Sequence, residues 1–166
     1  MGQVTEAVMD QVGKNGRGIH IDTALAGCAA TAGALLLRAV AGDGLLATRE
    51  PGTGVIFEDV NDVGPRLLGL IAMYANAANV EFEPSVGEVP VDHQPREPLA
   101  TLVQRIEPAV CRVLASNRVP EAMWPNYVAV STVDLAVRAG DVFDRSLFSK
   151  IVVSGIVAGS KTVPLR

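Results

Sequence analysis

The stretch "IDTALAGCAATAGALLLRAV", residues 21–40, constrains the fold more than any other part of the chain. No charge stands between Asp22 and Arg38, and most of the side chains are Ala, Gly or Thr. A helix that is apolar on every side has to be covered on every side. Its small residues let a neighbouring backbone come close, because no side chain holds it off. The run therefore reads as a central core helix from Asp22 to about Ala41, with Asp22 as N-cap and Gly42 and Gly44 as its stop. Leu25, Cys28, Ala29, Ala32, Leu36 and Val40 form one apolar stripe. Ala26, Ala30, Gly33 and Leu37 form a second. Thr23 to Leu37 spans 15 residues, short of the roughly 20 needed to cross a bilayer, so no membrane role is expected.

The rest of the chain supplies the cover. Thr5 to Val12 reads as a first short helix, broken by the glycines of "GKNGRG" at residues 13–18. A third helix is expected from a cap at Asn61 or Asp62 to Ala78, with Pro65 in its first turn. It too is nearly free of charge. Leu99 to about Asn117 carries the clearest helical stripe, Leu99, Leu102, Val103, Ile106, Val110, Val113 and Leu114. Pro98 suits its first turn, and Pro108 should kink it. A fifth helix is expected over Asn126–Ala139. A sixth follows over residues 145–159, capped by Asp144 and ended by Gly159.

Two segments do not fit a helix. Leu45–Arg49 and Val55–Glu58 flank the Pro/Gly turn "EPGTG" and suggest a small β-hairpin. Residues 81–98, "EFEPSVGEVPVDHQPREP", hold four prolines. They read as a long irregular loop, exposed, with "VEFEP" and "EVPVD" as edge-strand fragments and His93 near solvent. The expected fold is mainly α: a single domain, residues 1–166, of five or six helices bundled around the Ala/Gly-rich helix. Residues 1–20 supply an N-terminal helix and a Gly-rich loop, and residues 160–166 a tail.

Composition narrows the function classes. The chain is 49% apolar but only 4% aromatic, so Ala, Val and Leu must build the core. Charged residues make up 19%, below the roughly 25% usual for a soluble domain, which suggests surface hidden in an oligomer. The net charge is −4 and the 14 Lys and Arg residues are scattered. A phosphate-binding surface needs clustered cations, so no nucleic-acid partner is expected. Cys28 and Cys111 lie among apolar neighbours and read as buried free thiols in a reducing compartment, the cytoplasm.

Few residues offer chemistry. His20 and Asp22 form "HID" at the start of the central helix, where an acid tunes an imidazole and the helix end favours an anion. A plain N-cap beside a surface histidine explains the pair more simply. His93 follows Asp92 in the Pro-rich loop, a common setting for active-site groups and for loops with no role. Glu58, Asp59 and Asp62 are the candidate ligands for a divalent metal, although their spacing is not that of an EF-hand and the helix dipole alone accounts for them. Cys28 as a nucleophile for His20 is disfavoured by about two helical turns of separation. Trp124, between prolines, reads as an anchor for a connector. No Walker, GxSxG, HExxH or CxxC pattern is present.

The expected function is therefore oligomeric protein or small-ligand binding with no assignable reaction and no cofactor. The alternative is a metal-assisted or His/acid hydrolase using His20, His93 and the Glu58–Asp62 acids. Two charge-free helices exceed what one small domain can bury, so a homodimer is expected.

Overall fold

The computed structural model describes residues 2–14, 18–84 and 87–165. Among the described residues it is mainly helical, with 73% in α- or 3₁₀-helix and seven α-helices. These are α1 (Gly2–Gly13), α2 (Ile21–Ala41), α3 (Asp43–Leu46), α4 (Glu58–Ala77), α5 (Leu99–Ser116), α6 (Trp124–Ala139) and α7 (Phe148–Ser160). The helical class and the central helix agree with the sequence. Residues 15–17 of the expected Gly-rich break lie outside the described residues.

α2 packs against α7, α6 and α5 along its length, and also meets α1 and α4. Every residue from Asp22 to Leu37 is buried. The reason for its small side chains is visible at α7. A β-carbon on Gly159 would collide with the carbonyl of Ala30, and one on Gly33 with the carbonyl of Ile156. The two helices approach backbone to backbone, and only glycine fits these crossings. The hydroxyl of Thr31 is spent on the Gly27 carbonyl at 2.8 Å, so no polar group is stranded there. With 21 residues and a mean hydropathy of 1.7, α2 is long and apolar enough to cross a membrane, since the ends beyond the 15-residue run also join the helix. In this fold 78% of its most apolar window is buried by the other helices.

The expected β-hairpin is absent: the described residues contain no strand. The segment at residues 52–55 pairs instead with the chain's C-terminal tail. Gly54 and Thr162 form an isolated antiparallel bridge. Around it Gly52 N–H donates to Val163 O, Val163 N–H to Thr53 O and Val55 N–H to Lys161 O, at 2.8–2.9 Å. A turn motif signals a reversal but not its partner, and here the partner is distant in sequence. Leu45 and Leu46, expected as extended, close α3.

Other boundaries moved for local reasons. His20, not Asp22, is the N-cap of α2; its side chain accepts from Thr23 N–H, and Asp22 sits inside the first turn. α4 begins at Glu58, so Pro65 lies within the helix. α5 runs on through Pro108. α6 begins at Trp124 rather than Asn126. Asp144 caps a 3₁₀ turn, Arg145–Leu147, and α7 follows it directly.

Among its described residues the Pro-rich segment has no edge strands. They contain one 3₁₀ turn, Val91–His93, and are tied down at several points. Phe82 meets Phe148 edge-on at 5.7 Å. Glu83 N–H donates to Ser149 Oγ at 2.9 Å, and Arg96 N–H to Thr23 Oγ1 at 3.1 Å. Arg105 grips Glu97 with two bonds, at 2.6 and 3.0 Å. Ser85 and Val86 lie outside the described residues.

Candidate functional site

The fold brings together the two histidines that the sequence offers separately. Asp22 is buried in the first turn of α2. Its Oδ2 lies 3.4 Å from His20 Nε2 and 3.5 Å from His93 Nδ1. Its other oxygen, Oδ1, is buried with no hydrogen-bond partner among the described residues, as is Nδ1 of His93. Asp92, next to His93, is exposed.

The hydrogen bonds around His20 assign its tautomer. Nδ1 accepts Thr23 N–H at 3.3 Å and lies 2.9 Å from Thr23 Oγ1. That oxygen already accepts Arg96 N–H, so its hydroxyl is free to donate to Nδ1. The ring proton then rests on Nε2, facing the Asp22 carboxylate. Burial, followed by the Arg96 charge, lowers the His20 pKa from 6.5, with Asp22 opposing the shift. A hydroxyl, an imidazole and a carboxylate in sequence resemble a nucleophilic relay. Thr23 is only 2% exposed and its oxygen already accepts a backbone bond, so a substrate has no access to it. The open depression beside the loop, about 630 Å³, is lined by residues such as Gln94, Arg96, Glu97 and Ser154, and by neither histidine.

The acids proposed for a metal do not converge. Glu58, Asp59 and Asp62 are all exposed to solvent on the first turns of α4. Among the described residues no group of three or more His, Cys, Asp or Glu side chains is placed to hold a metal ion.

The second site is a cleft of about 490 Å³ at the far end of α2. Leu35, Arg38 and Ala39 share one face of α2 by their spacing, and Glu107 and Cys111 share one face of α5 for the same reason. Asp43 enters from the start of α3, Glu121 and Ala122 from a 3₁₀ turn, and Trp124 and Pro125 from the start of α6. Arg38 is held on both sides, with Nη1 2.9 Å from Asp43 Oδ1 and Nε 2.9 Å from Glu107 Oε1. Burial pushes the Glu107 carboxyl above its usual range, against the pull of Arg38. The Cys111 thiol is pushed up to about 11, first by burial and then by Glu107, so it remains protonated at neutral pH and is a poor nucleophile. Cys28 lies elsewhere, fully buried and pushed up to about 12, with its thiol facing the Val128 carbonyl. It is a core residue. Trp124 donates its indole N–H to Val119 O at 2.9 Å.

Sequence reading missed the cleft. The available signal was Arg38 itself, the first cation after a long uncharged run on a buried helix. Such a charge has to find an acid.

Compared with known protein families, with curated proteins and with solved structures, the chain matches none.

Proposed function

We propose that this protein binds a small molecule in the cleft between α2, α5 and α6, with no reaction assigned to it. One observation carries the reading: a cavity of about 490 Å³ lined both by apolar residues and by four charged groups. Ligand sites combine these features, in volumes of roughly 300–1,000 Å³. A small apolar gap lined by α2, α5, α7 and residues 162–164, about 80 Å³, has too little room for a comparable ligand. The free thiols Cys28 and Cys111 fit a cytoplasmic setting.

Self-association belongs to the same proposal. α2 is covered within one subunit, which removes half of the original reason for a dimer. The other half stands on α4. Gly69, Met73 and Ala77 repeat along its exposed face without a charge, beside Tyr74, and Met73 is 59% exposed. A two-fold pairing of this face would cover it.

A second reading, a His/acid hydrolase at His20, Asp22 and His93, is favoured by the approach of two imidazoles to one carboxylate. The same contacts clamp the Pro-rich segment to α2, and we place this reading second. Hydrolysis of p-nitrophenyl esters, lost in His93→Ala, would move it to first.

A fragment screen read by backbone NMR tests the main reading. Perturbed amides should cluster at Leu35, Arg38, Glu107, Cys111 and Ala122. Clustering around His20 and His93, or no cluster at all, would overturn the reading.

A further inference from the structure

We infer that the cleft takes a small organic cation with an apolar body. This inference rests on the reading of the cleft as a ligand site and adds the chemistry of its ligand.

The charges around the cleft are three carboxylates, Asp43, Glu107 and Glu121, against the single guanidinium of Arg38. That guanidinium is already occupied by Asp43 and Glu107, each at 2.9 Å. An anionic ligand would compete with both acids for that guanidinium and would also face Glu121. A cation meets the excess negative charge directly.

Cys111 reports the field from inside the cleft. After burial, the groups that raise its thiol pKa are Glu107 and then Glu121, with Arg38 opposing. Both acids therefore lie close enough to Cys111, which lines the cleft, to act on it.

Trp124 adds a further constraint. Its only donor is spent on the Val119 carbonyl, so the indole has no hydrogen to give a ligand, which would meet its ring edge or its π-face. That face is negative, and an ammonium over it is stabilised by electrostatic attraction. Leu35, Ala39, Ala122 and Pro125 complete an apolar wall. A ligand that satisfies all of these groups carries a positive head and a compact apolar body, as an arylalkylamine does.

The test uses three probes of nearly equal size: phenethylamine, phenethyl alcohol and phenylacetate. Trp124 is the chain's single tryptophan, so its fluorescence reports the cleft specifically. Phenethylamine should give a saturable change with affinity about five- to tenfold tighter than the alcohol or the acid. Added salt should weaken it, and the exposed-residue variant Glu121→Gln should lose most of the preference. Equal or tighter binding of the alcohol or the acid would overturn the cation inference and leave the ligand site standing. No saturable change with any probe would also overturn it, and the fragment screen then decides whether the cleft binds ligands at all.

Discussion

His93 Nδ1 lies 3.5 Å from Asp22 Oδ2 and so ties the middle of the Pro-rich segment to the first turn of α2. Beside it, Arg96 N–H donates to Thr23 Oγ1. Removing the imidazole should loosen both contacts. His93→Ala is expected to cost about 0.5–1 kcal/mol, the scale of a half-exposed ion pair. It should also speed hydrogen exchange at the Arg96 amide well above wild type. Unchanged exchange there would mean that the Arg96–Thr23 bond holds without His93.

The same cluster makes stability depend on pH. The folded-state pKa of His20 is lowered from 6.5, so below pH 6.5 the unfolded chain binds its proton first. Stability contributed by neutral His20 is full above 6.5 and falls as pH drops toward the lowered folded value. Glu107, raised from 4.5, has the opposite sign: its contribution declines as pH rises past 4.5. A variant separates the two. Asn is a good N-cap and does not titrate, so His20→Asn should keep α2 capped and lose the drop just below pH 6.5. Thermal melts across that range decide it; identical pH profiles for variant and wild type would rule out His20 as the source.

The α2–α7 crossing leaves no room for a side chain. Gly159→Ala should destabilise by about 1–3 kcal/mol or more, because a β-carbon there meets the backbone of Ala30, which cannot swing aside. Gly69→Ala is the control. A β-carbon at Gly69 meets nothing within 4 Å in its own subunit, so at concentrations that keep the chain monomeric it should stabilise the α4 helix by about 0.5–1 kcal/mol. Denaturant unfolding of both variants gives the two signs.

The glycine contrast also shows what the sequence could reveal. The small residues of α2 announced close packing, and the helical periods of α2 and α5 placed those helices within a residue or two. They did not announce that the close neighbour would be α7 rather than a second subunit. Gly159, expected to end a helix, lies in the last turn of α7 and is also where that helix crosses α2. The partner of residues 52–55 was illegible because pairing across the length of the chain leaves no local pattern. At the histidine cluster, each residue stood out by its neighbours, while their meeting depends on how the Pro-rich segment folds back. Arg38 and Glu107 escaped notice because their helices were read for apolar stripes, and a charge pair across two helices has no spacing rule.

Dimerisation through α4 predicts a specific loss. Sedimentation at micromolar concentration should give twice the 17.4 kDa chain mass, with on the order of 1,500 Å² buried. Met73→Lys should return the protein to a folded monomer, because the residue is exposed in one subunit and would place a charge in the pair interface. A wild-type monomer would show that the uncharged face of α4 is left to solvent.

The claim that the cleft is a ligand site is tested most directly by filling it. Ala39 is exposed and lines the cleft, so Ala39→Trp should occupy the cavity without disturbing the core. Calorimetry with the tightest fragment found in the screen should show affinity at least about tenfold weaker for Ala39→Trp than for wild type, with the melting temperature nearly unchanged. Equal affinity in the filled variant would contradict the account and place the binding site elsewhere on the protein.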